Sequence, residues 1–223
     1  MLLARSEDNM YLSKVEIDRK NRRKTKDLHH VGAIHNWVER SFPKETEKEN
    51  RSRKLWRLDR LQGKEYLLLV SQIKPDLTAL EKYGVKNSAE TKEYTPFLRA
   101  LQNGTRARFR VTLNPVIAVK DGTSKRGRVK PHVTVKQQRQ FLLDRAEVNG
   151  FQLKEDEFTI VDRGYVEFKR SGQRPIRLSK ATYEGILTIE DRDKFIETLT
   201  RGFGKKKAYG FGMMTVIPIN DEK

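Results

Sequence analysis

The chain has 223 residues, enough for one large or two small domains, and no cysteine, which rules out disulfides and thiolate metal sites. Its 47 lysines and arginines against 30 acids leave a net charge of +17, a self-repulsion usually carried to meet a polyanion. Nucleic acid is the leading candidate, because no long apolar run or lipidation signal points to a membrane.

The stretch before Met10 is too short and polar for a signal peptide, and the lack of cysteine agrees with a cytoplasmic protein. "MYLSKVEI" alternates in the manner of a first strand, and the basic run "RKNRRKTK" (19–26) follows it. Leu28, Val31, Ile34, His35, Val38 and Phe42 recur at helical spacing up to Pro43. Residues 44–53 are a charged loop. "RKLWRLDRL" and "KEYLLLVSQI" pair as strands around a turn at Gln62–Gly63. "KPDLTALEKYG" is a short helix ended by Gly84, with further β structure expected in 88–97. The order β-α-β-β-α-β is ferredoxin-like.

The order then repeats without repeating the residues. "TRARFRVTLNPVIAV" (105–119) is a strand, "KDGTSKRGRVKPH" a basic loop, and "KQQRQFLLDRAEVNG" (136–150) a helix. "EFTIVDRGYVEFKR" and "KATYEGILTI" are strands, "EDRDKFIETLTR" a helix and "GMMTVIPI" the last strand. The expected fold is α+β: two tandem ferredoxin-like (RRM-like) domains, 10–97 and 105–219, joined near 98–104.

"RGFGKKKAYGFG" (201–212) sets glycines beside consecutive lysines, a combination suited to an anion. It lies between a helix and a strand. A P-loop needs the opposite order and a G-x-x-x-x-G-K-[ST] spacing that is missing, and G-x-G-x-x-G would require glycine at Lys207. Lys205 and Lys206 occupy the apolar positions of the RNA-recognition strand signature.

"MYLSKVEI", "HNWVERSFP", "RFRVTLNPV" and "YEGILTIED…GFGKKKAYGFGMMTVIP" together resemble the CRISPR-associated endoribonucleases of the CasE family, the repeat-processing subunit of type I-E Cascade. The matches span residues 10 to 219. The resemblance implies tandem ferredoxin-like domains and metal-independent cleavage of the CRISPR repeat stem-loop at the 3′ base of the stem. It also implies 2′,3′-cyclic phosphate and 5′-hydroxyl ends, and assembly with other Cascade subunits. No metal or small-molecule cofactor and no membrane partner is expected. Gly202, Gly204, Gly210 and Gly212 would shape the loop, with Lys207 its matched basic residue. A non-catalytic RNA-binding subunit of similar fold is the alternative.

Cleaving RNA through its own 2′-hydroxyl needs a base, an acid for the departing 5′-oxygen and cations for the developing charge. His35 aligns with the family's catalytic histidine, although taken by itself it shares an apolar helical stripe, where a lone histidine is more often a core residue. A tyrosine found in some members three residues earlier is replaced by Gly32, and no tyrosine lies within reach in sequence. The second proton role is open between His30 and a water assisted by lysine or arginine; His29 and His30 also fit exposed loop positions. His132, in a basic loop, is assigned a backbone contact. Arg22, Arg23 and Lys24 flank the His35 helix and could approach the scissile phosphate. Lys125, Arg126 and Arg128 suit a duplex groove, and Lys169 and Arg170 match a basic hairpin of the family.

Overall fold

In the computed structural model the alternating first segment forms β1 (Tyr11–Glu16), which buries Ser13 and Val15 on one face, continued by Ile17. The structure describes residues 9–45, 51–120, 128–169 and 174–219. The described residues up to Leu101, together with Ala208–Gly210, make one compact unit; Gln102–Lys207 and the residues from Phe211 onward make a second.

In the first unit, β1 is followed by a single helical turn, α1 (Arg22–Thr25), and by α2 (Val31–Arg40). Asn21 starts α1, its side-chain oxygen accepting from the Lys24 N–H at 3.0 Å. α2 buries Val31, Ile34, Trp37 and Val38, the helical spacing of its apolar residues. Then come β2 (Lys54–Leu61), β3 (Lys64–Ser71), α3 (Leu77–Leu80), β4 (Glu90–Glu93) and α4 (Thr95–Ala100). Gln62 and Gly63 both have positive φ, 51° and 74°, the geometry a two-residue hairpin turn requires between β2 and β3. The sheet order is β2-β3-β1-β4, antiparallel throughout, which is the ferredoxin-like arrangement. Val15, Leu55, Leu67, Leu69, Trp37, Val38 and Leu80 are among its fully covered apolar residues.

The second unit repeats the arrangement with additions. The expected strand at 105–119 is two strands, β5 (Arg106–Leu113) and β6 (Val116–Val119). Between them Asn114 is buried, donating to the Ser179 carbonyl at 2.6 Å, and Pro115 has no N–H to extend a ladder. β6 pairs with β7 (Arg128–Pro131) as a separate two-stranded arm. α5 (Val135–Ala146) starts on a capping box, Thr134 with Gln137. β8 (Phe151–Gln152), β9 (Phe158–Phe168), β10 (Ile176–Ile189), α6 (Arg192–Arg201) and β11 (Met214–Pro218) complete the chain. The sheet runs β11-β5-β10, with β9 and the short β8 both paired to the far side of β10. β5 pairs with β10 only over Ala181–Thr188, so the Ile176–Lys180 end of β10 has β9 as its strand partner and extends as a hairpin. Phe109, Val111, Phe141, Leu142, Tyr183, Leu187, Phe195, Leu199 and Met214 fill the interior. Among the described residues no helix is long and apolar enough to cross a membrane.

Candidate active site

α2 places His35 one residue beyond the buried Ile34 and three before the buried Val38, so its imidazole is half-covered rather than sealed in the core. The apolar stripe takes Ile34 and Val38 inward and leaves His35 at its edge. Burial is the main influence on the ring and lowers its pKa below the ordinary 6.5. The Glu39 carboxylate, one turn further along α2, opposes that effect, while the charges of Lys54 and Arg51 add to it. At neutral pH the imidazole is therefore held mainly unprotonated, able to accept a proton.

Beside it lies a group of charges that sequence reading missed. Lys54 opens β2, and its side chain is only 1% exposed. Its ammonium is 2.7 Å from Glu45 and 3.5 Å from Glu39, donates to the Ser52 carbonyl, and stands over the Phe42 ring. Glu45 is 3% exposed and also accepts from the Ser52 N–H and hydroxyl at 3.1 and 2.9 Å. Arg51 reaches Glu39 at 3.5 Å. Such a lysine, at the start of the expected strand and directly after the charged loop at 44–53, carries no sequence mark of burial, because burial is set by how that strand packs.

The glycine-rich segment supplies the second missing piece. Tyr209 packs edge-on against His35, with ring centroids 5.6 Å apart at 71°. No tyrosine is within reach of His35 in sequence; the fold brings one from 174 residues downstream. Trp56 of β2 holds the segment, its indole N–H donating to the Ala208 carbonyl at 3.0 Å. Gly210 has φ +83°, and a Cβ there would meet the Trp56 ring at 2.6 Å. Gly212 likewise has φ +83°, and a Cβ would meet the Phe203 carbonyl oxygen at 2.3 Å. Gly202 and Gly204 share the positive φ, and Gly202 ends α6. Lys207 turns its ammonium onto the Gly202 carbonyl at 3.1 Å, a contact that closes the loop upon itself.

The other histidines have structural employment. His30 is the N-cap of α2, its Nδ1 accepting from the Ala33 N–H at 3.2 Å, so it is not simply an exposed loop residue. His29 is exposed, with Nδ1 3.2 Å from the Lys26 carbonyl oxygen. His132 is half-buried against Phe141; its backbone N–H donates to Pro115, and its carbonyl accepts from Gln138.

The expected RNA-binding residues fall on three elements. Arg22 and Arg23 are exposed on α1, whereas Lys24 is half-buried with its ammonium on the Gly84 carbonyl. Arg128 is exposed on β7, next to the exposed Val129 and Lys130. Lys169 is exposed at the end of β9, 3.7 Å from Glu167. Lys125, Arg126 and Arg170 lie outside the described residues. Exposed Arg163 and Arg177 share the β9–β10 hairpin, Arg177 standing over the Tyr165 ring at 4.9 Å. Among the described residues no group of three or more acidic or histidine side chains is placed to hold a metal ion.

Two ferredoxin-like units, a half-buried imidazole and exposed cations on extended hairpins define a protein built to handle a polyanion. The family model described as "CRISPR associated protein" matches residues 10–218, and the chain belongs to that family. It is 29% identical over 220 residues to the CRISPR-associated endoribonuclease Cse3 of Thermus thermophilus, covering 94% of this chain and all of that one. A structure of Thermus thermophilus Cse3, bound to an RNA representing a pre-cleavage complex, is similar with a TM-score of 0.79 and 28% identity. That match covers 94% of this chain and all of the other. The CRISPR-associated protein Cas6e of Escherichia coli shares the fold, with a TM-score of 0.58 and 22% identity over 94% of this chain and all of that one.

Proposed function

We propose that this protein is the repeat-processing endoribonuclease of a Cascade-type assembly, acting in the cytoplasm on the stem-loop of CRISPR precursor RNA. It cuts at the 3′ base of the stem and keeps the product for assembly with the other subunits. The observation that carries the catalytic reading is His35: an imidazole half-covered at the edge of α2 and held mainly neutral at pH 7 by burial.

His35 acts as general base. It takes the proton of the 2′-hydroxyl while the 2′-oxygen bonds to the neighbouring phosphorus. The bond from phosphorus to the 5′-oxygen breaks, and that oxygen takes a proton from water as it leaves. The products are a 2′,3′-cyclic phosphate and a 5′-hydroxyl. No step routes charge through a metal. Lys54 is committed to Glu45 and Glu39, so its part is to disfavour the imidazolium rather than to grip phosphate. Arg22 and Arg23 on α1, Arg128 on β7 and Lys169 on the β9 hairpin supply the phosphate contacts that hold the stem, together with Lys125, Arg126 and Arg170. Lys24 and Lys207 act on the protein's own carbonyls, Gly84 and Gly202, and so shape the surfaces around them.

Labelled repeat RNA incubated with the protein in EDTA tests the reaction, with cyclic-phosphate ends as the expected product. The His35→Ala variant should cleave roughly a hundredfold more slowly or worse while binding the hairpin nearly as well. Binding without cleavage by the unaltered protein would instead mark a non-catalytic RNA-binding subunit.

A further inference from the structure

We propose that Tyr209 is a positioning residue for His35: the glycine-rich segment exists to set the Tyr209 ring edge-on against the imidazole and hold it in one orientation. The inference rests on the catalytic reading of His35 above and adds the residue that orients it.

The segment is held on both sides of Tyr209 by the same side chain. Before it, the Ala208 carbonyl accepts from the Trp56 indole N–H at 3.0 Å. After it, Gly210 lies so close to the Trp56 ring that a Cβ would stand 2.6, 2.9 and 3.1 Å from three of its carbons. Trp56 is itself 2% exposed on β2, a rigid strand. A loop that only had to join α6 to β11 would need neither hold. Their joint effect is to fix the one residue between them, and what that residue faces is His35, at 5.6 Å between centroids and 71° between planes.

An imidazole at the edge of a helix stripe can rotate about its side-chain bonds unless something covers one face. An edge-to-face partner removes that freedom and keeps water from one side of the ring. Proton transfer depends on a donor and acceptor held at hydrogen-bond distance, so a rotating base loses rate more than it loses affinity for RNA. The charged groups that act on His35 are Glu39 on its own helix, Lys54 on β2 and Arg51 ahead of β2, and the Tyr209 ring packs against it. Removing the Tyr209 ring admits water without altering the three charges. The imidazole should then titrate nearer its ordinary value.

The test uses Tyr209→Leu, which keeps apolar bulk so that the segment still packs, alongside Tyr209→Ala and Tyr209→Phe. In the RNA-free protein, histidine ring signals followed by NMR across pH give both the ring-current shift on His35 and its titration midpoint. Expected is loss of that shift in the leucine and alanine variants and a higher midpoint in alanine, where water is admitted, with both restored in phenylalanine. Single-turnover cleavage should fall about tenfold or more in the leucine variant with hairpin affinity within about threefold, and phenylalanine should recover it. Unchanged His35 signals and rate in folded Tyr209→Leu would overturn the proposal. So would a loss of affinity as large as the loss of rate, which is what a merely structural loop would give, or a phenylalanine variant as slow as leucine. If the unaltered protein does not cleave, the catalytic reading of His35 fails; the NMR arm still decides whether Tyr209 orients the ring.

Discussion

Replacing Lys54 with alanine attacks the charge group that underlies the candidate site. At an effective dielectric near 20, the 2.7 Å contact with Glu45 corresponds to about 6 kcal/mol of gross attraction and the 3.5 Å contact with Glu39 to about 5. Most of that is offset by the cost of taking the ions out of water. What alanine leaves behind is a 3%-exposed carboxylate with its counter-ion gone, which typically costs about 3–5 kcal/mol. Glu45 retains the Ser52 N–H and hydroxyl as donors, so the loss should fall at the lower end, about 3 kcal/mol. Both tryptophans, Trp37 and Trp56, belong to the first unit, so urea unfolding followed by tryptophan fluorescence reads the unit that contains the change. The loss should also depend on pH. Burial by itself pushes the Glu45 carboxyl up, but the hydrogen bonds from Lys54 and Ser52 and the Lys54 charge outweigh it and hold the group below its ordinary 4.5. In the unaltered protein its contribution is present above pH 4.5 and lost as pH falls through the lowered value. In Lys54→Ala burial prevails, the carboxyl rises, and stability is lost as pH rises instead. The deficit should be greatest near neutrality and shrink toward about pH 4. A loss under about 1 kcal/mol, or one as large at acid as at neutral pH, would refute the reasoning.

Three further outcomes follow from the same geometry. The acid limb of cleavage, measured as kcat/KM against pH, should have its midpoint below 6.5, because the working form of His35 is neutral and its pKa is lowered by burial; a limb above 6.5 would contradict a half-covered base. Hairpin affinity should drop at least tenfold between about 50 and 200 mM salt as condensed counterions are displaced, and a flat response in a filter-binding series would remove the exposed cations from the interface. Gly210→Ala should destabilise the first unit by about 2 kcal/mol and perturb the Trp56 emission, since the residue combines φ +83° with a Cβ position 2.6 Å from the indole. Unaltered emission and melting in that variant would show that the segment has room to move.

Much of the architecture was written locally. Alternation at 11–17, the Gln62–Gly63 turn and the spacing of Val31, Ile34 and Val38 each express a property of neighbouring residues, so the ferredoxin-like class follows from sequence alone, while α4 (Thr95–Ala100) and the division of 105–119 into β5 and β6 do not. So does the excess of positive charge; that His35 stands at the margin of the apolar stripe and not within it was shown by the packing of α2. Three things were decided only by tertiary structure. Whether a lysine in a charged stretch is solvated or sealed depends on the strand it enters, and Lys54 is sealed because β2 carries it inward between Glu45, Glu39 and Phe42. Whether His30 is a loop residue or a helix cap depends on where α2 begins, which is Val31 and not Leu28, where the apolar pattern starts. That Tyr209 meets His35 depends on Trp56, whose indole holds Ala208 and leaves room only for glycine at 210. Periodicity reports which face of one element is covered. It carries no record of which distant element does the covering, because that is settled by packing among side chains far apart along the chain.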